Sequence, residues 1–135
     1  MNTPLFREFL KSGNSLWVYK DGRSLFTSSK GGILPLLEYI ETLAPHHRQI
    51  TIFDKVVGNA AALLSVKAAV EEINSPLGSE LAVKTLRDYD IKYHFSETAP
   101  YIINRSQDDM CPMEKLSLDK DPDEFYTAIK ALALN

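Results

Sequence analysis

Residues 16–27 read LWVYKDGRSLFT, and this stretch decides the architecture. Two runs rich in apolar and aromatic residues flank Asp21-Gly22, and Asp-Gly between such runs is a strong signal for a tight β-hairpin. The pattern predicts strands at Leu16–Lys20 and Arg23–Thr27. Because the two strands of a tight hairpin are antiparallel, the sheet that contains them must include an antiparallel pair.

Helices and strands alternate along the rest of the chain. Apolar periodicity predicts helices at residues 3–11, 32–44, 77–89 and 122–133, a central helix that residues 54–59 open and that runs through residue 64, and a short helix opened by Cys111-Pro112. Short apolar runs predict strands at residues 49–53, 68–73 and 91–95, and Asn74-Ser75-Pro76 is expected to turn the chain.

Strands joined through helices are usually parallel, with right-handed crossovers. We therefore expect an α/β fold: a mixed five-stranded sheet with helices on both faces, forming a three-layer α/β/α domain. The length of 135 residues suits a single domain. Within it, residues 1–14 are predicted to form an N-terminal helical extension and residues 15–135 the α/β core.

Composition excludes several classes of protein. The chain carries 15 basic and 18 acidic residues, and a net charge of −3 disfavours a dedicated nucleic-acid binder. The single cysteine, Cys111, excludes an intramolecular disulfide and a multi-cysteine zinc site. The N-terminal residues do not have the pattern of a signal peptide, and no apolar run has the length of a membrane span. We expect a cytoplasmic protein with no membrane partner, no metal and no cofactor.

Two strand–helix junctions are the candidate binding segments. The first contains Ser28, Ser29, Lys30, Gly31 and Gly32, and the second contains Asp54, Lys55, Gly58 and Asn59. In open α/β sheets ligands bind beyond the carboxyl ends of strands, and helix N-termini there offer free N–H groups to anions. The pattern favours an anionic group such as a phosphate at these helix starts. In the alternative interpretation, the same residues only cap helices and turn the chain.

Three other residues are candidates for closing this cleft. They are Asn104, Arg105 and Cys111. The planar guanidinium of arginine suits a phosphate, and a cysteine at a helix start has thiolate character, although a free cysteine is more often simply buried. Asp54 is either a helix cap or, with Lys55, an acid–base group.

The chain also resembles a known family. Residues 54–62 (DKVVGNAAA), 100–105 (PYIINR) and 111–115 (CPMEK) look like the DUF1893 family of small prokaryotic proteins of unknown function. The order of elements is similar to the cytidine deaminase-like fold, which implies a nucleoside-sized cleft between two helix N-termini. Zinc deaminases of that fold carry His-x-Glu (or Cys-x-Glu) and Pro-Cys-x-x-Cys at these junctions. Neither junction here contains His or Cys, so zinc-dependent deamination is not expected.

Three functions stay open from the sequence. The first is a zinc-free binding protein for a nucleotide-like molecule. The second is an enzyme without zinc that uses Asp54 with Lys55, or Cys111 as a nucleophile. The third is an interaction module or homo-oligomer that associates through the apolar helix at residues 32–44 and through aromatic side chains expected to be exposed, such as Tyr39.

Overall fold

A computed structural model describes residues 3–43 and 48–133. The helices are α1 Thr3–Ser12, α2 Leu34–Thr42, α3 Asn59–Lys67, α4 Glu80–Asp88, α5 Pro112–Ser117 and α6 Pro122–Ala133. The strands are β1 Leu16–Lys20, β2 Arg23–Ser28, β3 Ile50–Asp54, β4 Val70–Ser79 and β5 Lys92–Ala99. His46 and His47 lie outside the described residues. Within those residues, no helix is long and apolar enough to cross a membrane.

The five strands form one mixed sheet in the order β2-β1-β3-β4-β5. β1 is antiparallel to β2 and β3, whereas β3, β4 and β5 are parallel. The hairpin turn at Asp21 and Gly22 has φ angles of 52° and 79°. Positive φ at both central residues is typical of the type I′ turn, whose twist suits two-residue hairpins. The predicted mixed five-stranded α/β sheet is therefore confirmed.

β4 is longer than the sequence indicated. The turn expected at Asn74-Ser75-Pro76 is wrong, because the strand continues to Ser79 and the following helix begins only at Glu80. Pro76 is tolerated because no strand pairing is made at its position, while Ser75 and Leu77 on either side pair with β5. The Ser75 hydroxyl also donates to the Leu77 carbonyl, at 2.9 Å. A proline without an N–H is compatible with a strand when its donor is not needed there.

The main core lies on one face of the sheet. Because neighbouring residues on a strand face opposite sides, Val18, Ile52 and Ile73 pack in this core with residues from the helices, among them Leu36, Leu64, Leu86 and Phe125. α3 is buried over its first seven residues, as expected for the central helix. Tyr39 was expected to be exposed, and this is wrong: it is fully buried, 5.8 Å from the ring of Phe26.

The opposite face is covered by α1. Phe6 and Phe9 of this helix pack on Trp17 and Phe53 of the sheet, and the Phe9 ring lies 5.3 Å from Trp17 and 5.9 Å from Phe53. Aromatic pairs at such distances stabilise a contact beyond the area that they bury. Helices therefore lie on both sides of the sheet, in three layers.

Candidate functional site

A cavity of about 300 Å³ lies beyond the carboxyl end of β3, between the starts of α2 and α3. It is lined mainly by apolar side chains, with a few polar groups. The lining residues are Ser15, Gly31, Gly32, Ile33, Asp54, Lys55, Val56, Gly58, Ala60, Ala61, Ile102, Cys111, Met113 and Glu114. A concave apolar site with a few polar groups is the usual form of a small-molecule site, and this volume is at the lower end of the usual range.

Both predicted junctions and one of the three candidates for closing the cleft contribute to this cavity. The candidate residues in its lining are Gly31, Gly32, Asp54, Lys55, Gly58 and Cys111. The other candidates lie outside the lining, namely Ser28, Ser29, Lys30, Asn59, Asn104 and Arg105. The cavity is therefore lined by the glycines of the first junction together with side chains of the second junction.

The polar residues of the first junction contact other parts of the protein. The Ser29 hydroxyl oxygen accepts a hydrogen bond from the Asn14 amide at 2.8 Å. The Lys30 ammonium pairs with Glu38 at 2.6 Å in an exposed position. An exposed ion pair contributes at most about 1 kcal/mol, so Lys30 can exchange this partner at little cost.

Asn59 and Asn104 have structural partners. Asn59 is buried, and its side-chain amide donates to the Ser117 hydroxyl at 3.1 Å while its carbonyl accepts from the Thr85 hydroxyl. Asn104 holds its own loop, donating to the Asp108 carboxylate at 2.9 Å. The neighbouring Arg105 is exposed.

Asp54 is the most perturbed acid of the site. Burial raises its pKa from 3.8 to about 7, although hydrogen bonds from the N–H groups of Val56 and Lys55 act in the opposite direction. Desolvation penalises the charged form of a carboxyl group, and here it outweighs two favourable donors. The pKa of Asp54 therefore lies much closer to neutral pH than that of an ordinary aspartate.

The Lys55 ammonium is directed at α1. It donates to the Leu10 carbonyl at 3.2 Å and lies 5.0 Å from the centre of the Phe9 ring. A cation at a helix C-terminus interacts favourably with the helix dipole. The arrangement does not form the acid–base pair of Asp54 and Lys55 that the sequence suggested, because the ammonium is held by another element.

Glu114 lines the cavity, and the sequence interpretation named it within a motif without assigning it a function. Its side chain is almost completely buried, and its two oxygens accept hydrogen bonds from the N–H of Asn59 at 2.5 Å and from the N–H of Ile102 at 2.8 Å. Gly58 makes room for it, since a Cβ at that position would lie 3.0 Å from the Glu114 Oε1. Glu114 lies within the motif at residues 111–115, but its partner Asn59 is 55 residues away in the sequence, so its contact could not be predicted.

The two helix starts are therefore not equivalent. A carboxylate of the protein itself holds the N–H of Asn59, the first residue of α3, where the sequence suggested an anion of the ligand. The start of α2 has no such cap, because Ile33 makes no side-chain capping bond. Proline occupies the first turn of α2, so this turn also has one N–H fewer.

No metal site is formed by the residues that the structure describes, since no group of three or more His, Cys, Asp or Glu is placed to hold an ion. His94 lies on β5 and faces Glu72 at 3.5 Å. Cys111 is a partly exposed free thiol at the start of α5.

Comparison with known proteins assigns the family. Residues 5–132 match a family described as a domain of unknown function, DUF1893. The chain belongs to the DUF1893 family. A crystal structure of a DUF1893 family protein from Thermotoga maritima, TM1506, is similar with a TM-score of 0.86 at 29% identity, covering 98% of this chain and 92% of that one. The family prediction is thereby confirmed.

A second solved structure shares only the fold. A diaminohydroxyphosphoribosylaminopyrimidine deaminase/5-amino-6-(5-phosphoribosylamino)uracil reductase from Thermotoga maritima has a TM-score of 0.54 and 13% identity, covering 68% of this DUF1893 chain and 36% of its own. This similarity is consistent with the deaminase-like fold; membership of the wider superfamily stays a prediction. No curated protein matches the chain.

Proposed function

We propose that this DUF1893 protein binds a nucleotide or a closely related phosphorylated small molecule, with the ring in the cavity and the phosphate outside it. The cavity between the two helix starts carries this proposal. Its walls include apolar side chains from four segments, Ile33, Val56, Ile102 and Met113, which suit the faces of a planar ring. A volume of about 300 Å³ suits a base or a nucleoside, so a phosphate chain would extend beyond it.

The segment from Ser28 to Gly32 is the proposed phosphate position. Gly31 and Gly32 have open space where a Cβ would stand, so a ligand can approach their backbone closely. α2 starts directly beyond them without a side-chain cap, and Lys30 needs only to leave its exposed partner Glu38 to reach a phosphate.

Isothermal titration calorimetry tests the proposal with adenosine, cytidine, guanosine and uridine, their 5′-phosphates, and inorganic phosphate. We expect at least one nucleoside to bind and its 5′-phosphate to bind more tightly. Val56→Trp should block the cavity, because Val56 lines it and is 43% exposed. Leu118→Trp is the matched control, since Leu118 is 37% exposed and lies outside the lining. Absence of binding across the panel, or equal binding by both variants, would refute the proposal.

Catalysis without zinc is the second candidate, favoured by one observation: Cys111 and Asp54 line the same cavity. A cysteine can act as a nucleophile, and a carboxyl group whose pKa is raised to about 7 can accept or release a proton near neutral pH. This candidate predicts rapid reaction of Cys111 with iodoacetamide at pH 7, slowed by the ligand found in the titration. A rate no faster than that of free cysteine would count against it.

A further inference from the structure

We infer that Asp54 recognises the ligand as a neutral carboxylic acid, which donates one hydrogen bond through its O–H and accepts another through its C=O. The complementary ligand is a planar ring whose edge places a hydrogen-bond donor beside an acceptor. This inference rests on the proposed function, and it names the residue that selects the ring and the form in which that residue acts.

The first support is the absence of an available cation. Lys55 is the one basic residue in the cavity lining within the described ranges 3–43 and 48–133, and its ammonium is held by the Leu10 carbonyl and the Phe9 ring. Lys30 and Lys115 lie outside the lining and are paired with Glu38 and Asp109. An ionised Asp54 would therefore have no counter-ion from the protein in this cavity.

The second support is the other carboxyl group in the same lining. Glu114 places a second, almost completely buried carboxyl group in this lining, with both of its oxygens held by backbone N–H groups. Two carboxyl groups in one small, mainly apolar cavity are less easily ionised together than singly. The titratable and charged side chains that line the cavity with Asp54 are Lys55, Cys111 and Glu114. Burial acts in the same direction and raises the pKa of Asp54 to about 7.

The two forms of Asp54 select different ligands. A neutral carboxylic acid offers one donor and one acceptor, whereas a carboxylate offers only acceptors. The edges of adenine, cytosine and uracil each place a donor beside an acceptor, so they fit the neutral acid through two hydrogen bonds. An ionised carboxylate would set one of its oxygens against the acceptor of the same edge.

An asparagine substitution separates the two forms, because a side-chain amide also offers one donor and one acceptor but does not titrate. We would measure the affinities of adenosine, cytidine and uridine by calorimetry between pH 5.5 and 8, for wild type, Asp54→Asn and Asp54→Leu. Wild-type affinity should fall about tenfold per pH unit once the pH exceeds the pKa of Asp54. Asp54→Asn should keep a measurable affinity that does not change with pH.

Asp54→Leu should bind at least about tenfold more weakly at pH 5.5, since the ring edge then loses both of its partners. Asp123→Asn is the matched control. Asp123 is an exposed acid of α6 paired with Lys67, and this variant should keep the wild-type pH profile. Circular dichroism at each pH would verify that every variant is folded.

Two results would overturn the inference while leaving the proposed function intact. One is nucleoside binding that strengthens or stays constant as the pH rises, and the other is an Asp54→Asn variant as weak as Asp54→Leu. Either would assign recognition to the carboxylate or to another group. If wild type binds none of the nucleosides or their 5′-phosphates at any pH, the proposed function fails, and the inference fails with it.

Discussion

The Glu114 carboxylate gives the sharpest test of how the site is built. The perturbation is Glu114→Gln, which keeps the size of the side chain but replaces one acceptor oxygen by an NH₂ group. Asn59 and Ile102 each donate an N–H to this carboxylate. The amide can satisfy only one of them, and its own N–H atoms then oppose the other donor.

The magnitude follows from those two contacts. A buried donor left without a partner costs about 1–3 kcal/mol, and the hydrogen bond that remains changes from charged to neutral, which costs about 1 kcal/mol more. Loss of a negative charge at the start of α3 adds about 0.3–1 kcal/mol. Removal of a buried charge relieves some desolvation, which acts in the opposite direction. We expect a net loss of about 2–4 kcal/mol in the free energy of unfolding.

Urea denaturation of wild type and variant at one pH measures this loss. Glu124→Gln is the matched control, because Glu124 also accepts a backbone N–H at the start of a helix, from Asp121 at 2.9 Å, but in an exposed position. Its cost should stay below about 1 kcal/mol. The reasoning is refuted if Glu114→Gln is no more destabilising than Glu124→Gln.

Three further predictions concern stability. Gly78→Ala should destabilise the protein by about 1–3 kcal/mol or more in urea denaturation, since the new Cβ would lie 2.2 Å from the Phe95 ring, and Phe95→Leu in the same chain should recover part of the loss. Ala69→Gly should raise the melting temperature slightly, because Ala69 has a φ of 60° and glycine relieves about 1 kcal/mol of strain there; a lower melting temperature would contradict this. The raised pKa of Asp54 means that the folded protein binds the carboxyl proton more tightly than the unfolded chain does. The stabilisation of the fold by this proton is complete below pH 3.8 and is lost as the pH rises to about 7. The loss is at most about 4 kcal/mol, and the unfolding free energies of wild type and Asp54→Asn should diverge over that window; a difference that does not change with pH would contradict the assignment.

The sequence predicted the parts of the fold that depend on local chemistry. Asp21-Gly22 has the positive φ angles that a type I′ turn requires, so the hairpin could be recognised from two residues. The proline at position 76 was misread as a turn, because whether a proline ends a strand depends on the neighbouring strand, which local sequence does not specify. Tyr39 was misread as exposed for a similar reason, since the β-strand residue that covers it, Phe26, belongs to another element.

The site was only partly predictable for the same physical reason. Gly31, Gly32 and Asp54, which line the cavity, could be predicted because they lie at junctions between a strand and the helix that follows it. The capping contact of Glu114 was not predicted, because it depends on a helix that begins 55 residues earlier in the chain. The direction of the Lys55 ammonium could not be predicted from the sequence either, because its partner is a backbone carbonyl of α1.

The position of Lys55 has a consequence for the first helix. α1 does not line the cavity, yet its last turn and Phe9 retain the ammonium that follows Asp54 directly in the chain. A shorter version of this protein that begins after Ser12 would release that ammonium and lose the aromatic contact on Trp17. The freed ammonium would then be available to the cavity, so the charge that a bound ligand meets there would change. The first helix thus contributes to the electrostatic environment of a cavity that it does not line.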